Sequence, residues 1–560
     1  MPPRPPKRAK KTSGLRYWME RVLEECDRAA AGFSADPVHD LRVALRRCRA
    51  MADGLMAIDP DPDWKAMKKA GKRLFQRLGD LRDIQIMMEW IEKLHPAEAN
   101  VDKTSVEEAS VARAPTPALP QSDQNSGLMD HSATTEAQGK SRDPVALALL
   151  DILQRREDEQ KHEARAALDE FDRKQWRQWS KSLPARATHI RPGSAVFRHL
   201  ALERWTAARD LHTRALRNRS QVAFHTLRIG IKRFRYIVEN FLPAEHKLWS
   251  NDLKHMQDLL GEVHDLDVLW ATALSCRGFP DEASRKRWHA GIVQERTRRI
   301  EEYRKRMTGV DSLWPVWRAR LPQGKQIQEL ATRRMKLWAK ALDPDFAHSE
   351  RVARLALELY DGLASVGLLG SLNGAGGADA KGDARARLLL AALLHDVGKS
   401  KGNKGHHKAS LELIKAHGTP LGWKIEDMRQ AAIVARFHCG ALPTRSHKTL
   451  RDLLPGDQKS AIQLAAILRL ANAFDFSHDG HIRRVQVEGK RENSKRMTAP
   501  NCITVSAEGY SARSDTARAV AAERYLLETI LHRPVLIKPM LITPMRGRAH
   551  PGTRTSVPSA

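Results

Sequence analysis

Aromatic residues make up only 6% of the 560 residues. None of the basic stretches interleaves with them, so the stacking platforms that hold single-stranded bases are missing. Cysteine is also sparse. Cys26, Cys48, Cys276, Cys439 and Cys502 are scattered with no CxxC pair, which argues against a disulfide framework and for reduced thiols in a cytoplasmic setting. No apolar run approaches the roughly 20 residues that cross a bilayer. No Gly-rich phosphate loop occurs, which excludes nucleotide chemistry of the kind such a loop supports. Acidic residues are in deficit. Asp and Glu number 67 against 95 Lys and Arg, giving a net charge of +28, so the expected partners are polyanions.

What is present is a repeat, and repeats are read before other features. In the stretch His39 to Leu55, Leu41, Leu45, Cys48, Ala52 and Leu55 recur at helical period and form a core-facing stripe. His39, Arg42, Arg46 and Arg49 form a second, basic stripe. The same helix returns 186 positions later. There Leu227, Ile231, Phe234, Val238 and Phe241 are apolar, His225, Arg228, Lys232 and Arg235 are basic, and Arg47 is matched by Arg233. A second segment repeats as well: Leu78-Gly79-Asp80-Leu81-Arg82-Asp83 returns as Leu260-Gly261-Glu262-Val263-His264-Asp265, preceded by Lys72 and Arg73 in one half and Lys254 and His255 in the other. Each half therefore supplies a His-plus-basic helix and then a helix with a Leu-Gly break and a terminal Asp. A solvated face needs only polar residues; matched His, Arg and Lys at matched positions are more specific. Two cationic stripes that face each other repel unless an anion lies between them. Arg suits bidentate phosphate contacts, and Lys acts as a point charge.

These motifs resemble the CHAD family, a helical domain built from two bundle halves, over most of residues 15 to 320. The resemblance implies binding of inorganic polyphosphate along a basic groove. The groove candidates are His39, Arg42, Arg46, Arg47, Arg49, Lys72, Arg73, Arg82, His225, Arg228, Lys232, Arg233, Arg235 and Lys254. His264 departs from the pattern, standing where the first half has Arg82, which makes that side less basic.

In chain order, residues 1–14 read as a disordered basic tail rather than a signal peptide. Residues 15–98 form the first half and 99–143 a flexible insertion without aromatics. The second half spans 144–322, with one long helix over 145–175 and a loop at 184–193. Pro322-Gln323-Gly324 punctuates the boundary. A second domain is expected over 326–540, followed by a disordered tail over 541–560. Within it, strands are expected at 484–488, 502–505 and 534–537. The fold class is thus mainly α: a two-half helical bundle, then an α-helical domain with a small β element near the C-terminus.

The second domain carries a distributed His/Asp set. A divalent ion in a helical bundle needs imidazoles and carboxylates projected inward from several helices, and the adjacent His395-Asp396 at the end of an apolar helix meets that need. The segments Leu-Leu-His395-Asp396-Val-Gly, His406-His407-Lys-Ala-Ser, Ala-Arg436-Phe-His438 and Leu-Arg469-Leu-Ala-Asn472-Ala-Phe-Asp475 resemble an HD-domain phosphohydrolase. More closely, they resemble the C-terminal HD domain of the exopolyphosphatase/guanosine pentaphosphate phosphohydrolase family. The resemblance implies His348, His395 and Asp396 as ligands of Mn²⁺, Mg²⁺ or a similar ion, with His406 and His438 serving a second metal or phosphate. It implies Lys399 as a phosphate-neutralising group beside the catalytic His395 and Asp396. Asn472 stands where Asp is expected, a neutral ligand in place of a charged one, with Asp475 one turn on as a substitute. The ATPase-like lobes of the full-length family are absent.

The expectation is a cytoplasmic protein, associated with polyphosphate granules, that binds polyphosphate and couples it to HD-type hydrolysis of polyphosphate or a phosphorylated nucleotide. The alternatives are a non-catalytic polyphosphate-binding protein with a degenerate HD bundle and, less favoured, a nucleic-acid binder.

Overall fold

The computed structural model describes residues 14–94, 143–188, 190–369, 378–488 and 502–540, without the side chains of 378–382. The tails expected at 1–14 and 541–560 and the insertion expected over 99–143 lie outside the described residues, apart from Gly14 and Asp143. The architecture is mainly α. Both repeat helices form where the periodicity puts them, at Ala35–Leu55 and Gln221–Phe241. Leu41, Leu45, Cys48, Ala52 and Leu55 are all buried, as are Leu227, Ile231, Phe234, Val238 and Phe241. At about 1.5–3 kcal/mol for each large apolar side chain removed from water, these stripes fix which face of each helix turns outward. The two helices pack against each other, and each also packs against a partner helix, Lys72–Leu94 and Pro243–Ser275 respectively.

The partner helices correct one expectation, because they run unbroken through Gly79 and Gly261. These glycines give room instead. A Cβ on Gly79 lies 3.7 Å from Arg42 Nη2, and one on Gly261 lies 4.0 Å from Arg228 Nε. Two further boundaries differ. The long helix ends at Asp169, and Asp172 caps a new one, Arg173–Ala187, by accepting from the Gln175 amide. Pro184, expected in a loop, lies inside that helix with its ring buried.

One large core joins residues from Leu15 to Leu321, and a smaller one gathers Ile84, Trp90, Leu149, Leu266 and Trp288. A separate core runs from Ala331 to Val535. In that last region, strands β1 (Arg484–Glu488) and β2 (Ile503–Glu508) pair antiparallel, and β3 (Val535–Pro539) pairs parallel to β2. The two large cores meet through a closed polar network. Arg334 Nη1 donates to Glu203 Oε2 (2.6 Å), the Leu421 amide donates to Glu203 Oε1 (3.0 Å), and His199 Nε2 donates to the Leu421 carbonyl (2.8 Å). His199 Nδ1 is then left to accept from Arg334. Glu203 and both nitrogens of His199 are thus satisfied across the junction, while Arg334 Nε is buried without a partner.

Candidate functional sites: a cationic groove and a buried histidine–aspartate centre

The crossing of the two repeat helices gathers Arg42, Arg46, Arg228 and Lys232. Lys232 is pushed down to about 7, first by burial and then by Arg228, Arg46 and Arg42. The Arg42 guanidinium lies over the Phe75 ring and donates to the Leu78 and Gly79 carbonyls, so it is held in place even without an anion. Arg82 stands beside His39. At the other end His225 and His264 face each other, Nδ1 to Nδ1, at 3.2 Å. Burial and then Arg228 hold His264 down to about 4, while Arg82 at the opposite end pairs with Glu89 at 3.0 Å. Asp83 and Asp265 face the same cluster. Burial raises both carboxyls, Asp265 to about 6, against the pull of Arg42 or Arg228.

Most of the other basic candidates are engaged elsewhere. Arg47 pairs with Glu239, and Arg235 lies 3.8 Å from the same carboxylate. Arg49 donates to the Lys68 carbonyl. Arg73 pairs with Glu170, and Lys254 with Asp258. Lys72 and Arg233 are exposed. Periodicity could not separate Arg47 and Arg73 from the groove cations, because other helices bring them their acidic partners.

The second site lies where several helices converge. His348 comes from Phe346–Ser365, His395 and Asp396 from the end of Ala378–Leu394, His406 from the start of His406–His417, and His438 from just after Ile425–Arg436. Asn472 comes from Pro455–Phe474. Three imidazoles share one device. His395 Nδ1 lies 2.7 Å from the Ala392 carbonyl, His406 Nδ1 lies 2.8 Å from the Asn403 carbonyl, and His438 Nδ1 lies 2.8 Å from the Ala435 carbonyl. A carbonyl only accepts, so each Nδ1 carries the proton and each Nε2 presents a bare lone pair. Burial keeps His395 and His438 neutral, lowering both from the ordinary histidine range.

These lone pairs point at one carboxylate. Asp396 Oδ1 is 3.3 Å from His406 Nε2 and 3.5 Å from His438 Nε2, and Asp396 Oδ2 is 3.4 Å from His395 Nε2 and 3.9 Å from His348 Nε2. His395 Nε2 and Asp396 Oδ1 are buried without a hydrogen-bond partner. Buried acceptors facing acceptors are costly unless a cation lies between them. The spacings match those of ligands on one ion, since bonds of about 2.0–2.2 Å in tetrahedral array set neighbours about 3.3–3.5 Å apart. The donor set therefore fits a divalent metal, with Asp396 common to two groups: His348, His395 and Asp396, and Asp396, His406 and His438. Burial raises the Asp396 carboxyl, but the Lys399 ammonium beside it holds it well below the usual carboxylate range.

Asp475 does not stand in for Asn472. It accepts from His348 Nδ1 (2.7 Å) and from Arg351, so it orients the imidazole from behind. Asn472 Oδ1 is the group that faces His348 Nε2, at 3.0 Å. Lys399 Nζ sits 2.5 Å from Asp396 Oδ2. Sequence reasoning missed Ser410 and the role of Gly398. Ser410 Oγ accepts from the Gly398 amide and donates to the His395 carbonyl, tying the two motifs together. A Cβ on Gly398 falls 2.0 Å from the His406 carbonyl. Arg469 carries no assigned role in the sequence motif that contains it. Its guanidinium donates to the Phe437 and Gly440 carbonyls and clamps the turn that carries His438.

Residues 14–274 match the CHAD domain, and residues 332–507 match Ppx/GppA phosphatase, domain III. Among solved structures, the CHAD domain from the plant Ricinus communis is similar at 19% identity, covering 55% of this chain and 91% of that one, with a TM-score of 0.33. None of the curated proteins matches this chain.

Proposed function

We propose that this chain, a CHAD domain joined to a C-terminal Ppx/GppA-like domain, captures inorganic polyphosphate in the groove of Arg42, Arg46, Arg228 and Lys232 and hydrolyses a phosphate-rich substrate at the Asp396 centre. The domain junction lies at residues 322–325. The observation that carries the catalytic half is the buried convergence of bare imidazole nitrogens on Asp396, with His395 Nε2 and Asp396 Oδ1 lacking a hydrogen-bond partner. His348, His395, Asp396, His406, His438 and Asn472 would hold the metal. When bound, a divalent ion polarises a phosphoryl oxygen and makes water a better nucleophile. The chain's own residues do the rest. The backbone carbonyls of Ala392, Asn403 and Ala435 fix the imidazole tautomers, Asp475 orients His348, and Lys399 offers a charge for a phosphate oxygen once it leaves Asp396.

A second reading has an observation of its own. Asn472 contributes no charge and Lys399 already pairs with Asp396, which favours a polyphosphate-binding protein whose second domain no longer turns over. Phosphate release from polyphosphate separates the two, measured with Mn²⁺ or Mg²⁺, with EDTA, and with His395→Ala. Metal-dependent release that disappears in the variant is the expected result. Tight binding without release hands the case to the second reading. A nucleic-acid role is tested by competition, in which polyphosphate is expected to displace DNA or RNA and not the reverse.

A further inference from the structure

Beside the Asp396 centre lies a cluster that shares His406 with it and adds Cys439 and His407, which polyphosphate capture and hydrolysis leave unused. Cys439 Sγ is 3.7 Å from His406 Nε2 and 3.6 Å from His407 Nδ1, and one ligand atom from each of the three residues falls within 4.8 Å of the others. A sulfur at about 2.3 Å and a nitrogen at about 2.0–2.1 Å from one tetrahedral ion sit about 3.5 Å apart, so the separations are those of ligands. The loop is built to present this sulfur. Arg469 holds the carbonyls of Phe437 and Gly440 on either side, and Glu523 holds Arg469. Gly440 turns the chain in the left-handed region, at φ +74°, where a side chain is strained. As a result His438 points at Asp396 while its neighbour Cys439 points at His406 and His407. All three residues are partly exposed, whereas His348, His395 and Asp396 are buried.

We propose that Cys439, His407 and His406 form a separate site for a thiophilic divalent metal such as Zn²⁺, and that it competes with the Asp396 centre for His406. His406 has a single bare nitrogen, and that nitrogen lies 3.3 Å from Asp396 Oδ1 and 3.7 Å from Cys439 Sγ. It can bind one ion at a time. Thiolate favours zinc or copper, and carboxylate with imidazole suits Mn²⁺, so the identity of the metal decides which site keeps His406. Binding replaces the Cys439 thiol proton with the ion and releases that proton to solvent.

The site does not depend on hydrolysis, and its test reads metal rather than turnover. Full-length protein is titrated with Co²⁺ and followed optically. A near-ultraviolet thiolate-to-cobalt charge-transfer band is expected, lost in Cys439→Ser, weakened in His407→Ala and retained in His395→Ala. An absent band, or one undiminished in Cys439→Ser, overturns the site. A band lost in His395→Ala assigns the sulfur to the Asp396 centre and overturns its separateness. In a second arm the protein is loaded with Mn²⁺ and followed by electron paramagnetic resonance. One equivalent of Zn²⁺ is expected to release Mn²⁺ from the wild type but not from Cys439→Ser. Equal release from both overturns the competition.

Discussion

The groove and the histidine centre pose opposite electrostatic problems. Around Lys232, burial and then the crowding of Arg228, Arg46 and Arg42 bring the ammonium down to about 7. Around Asp396, neutral imidazoles aim lone pairs at a carboxylate. The first calls for an anion and the second for a cation. They also differ in construction. The groove is built twice, from two copies of one helix. The centre is built once, from several helices, with His348, His395 and Asp396 buried. A groove of this kind tolerates the loss of one member, because charge sums over many phosphates. A centre that shares Asp396 between two groups does not.

The sharpest way to break the comparison uses glycine. Gly398→Ala is expected to destroy the centre, cutting metal affinity by roughly 100-fold or more, beyond the loss typical of an outer-shell partner. The reason is that its Cβ falls 2.0 Å from the His406 carbonyl and 2.6 Å from the Ser410 amide. Calorimetric Mn²⁺ titration checks this, with polyphosphate binding as the control that should persist. Next, replacing Arg42, Arg46, Arg228 and Lys232 together by Ala should flatten the salt dependence of polyphosphate binding. Each neutralised phosphate adds about 0.7 to the slope of log affinity against log salt, so removing four cations should lower that slope by about 3. An unchanged slope would place the anion elsewhere.

Asp475→Asn should weaken metal binding by about 10–100-fold while leaving the fold intact, because it disturbs only the group behind His348. A smaller effect comes from pH. Lys232 gains its proton below about 7 and Asp265 loses its charge below about 6. Both changes make the groove more positive, so polyphosphate affinity at fixed salt should rise as pH falls from about 8 to about 5. In Lys232→Arg the upper part of that rise should vanish, since Arg stays charged throughout. The smallest change is Gly79→Ala. Its Cβ meets only the tip of Arg42 at ordinary van der Waals separation, and helix propensity should stabilise the protein by about 0.5–1 kcal/mol. Thermal unfolding measures it.

Much of the helical layout was legible, and so was the meeting of four cations at the helix crossing. The two apolar stripes are buried residue for residue, and Arg42, Arg46, Arg228 and Lys232 do meet across the crossing. Period alone could not say that Arg47 and Arg73 would find Glu239 and Glu170, which other helices bring to them, whereas Lys254 and Asp258, four positions apart on one helix, were within its reach. The Leu-Gly "break" failed for a related reason. A glycine in a long helix costs only about 1 kcal/mol, and the gap it leaves is filled by Arg42, which reaches across from the first repeat helix.

The sequence by itself determined the repeat, the mainly helical fold class and the presence of a His/Asp set, because all three are written in local spacing and residue type. Tertiary structure alone decided which of those groups face each other. It turned Asp475 into a support for His348, made Ser410 a tie between two motifs, and set Cys439 against His406 and His407. These pairings join residues up to 127 positions apart, and no local pattern encodes a distance that only packing fixes.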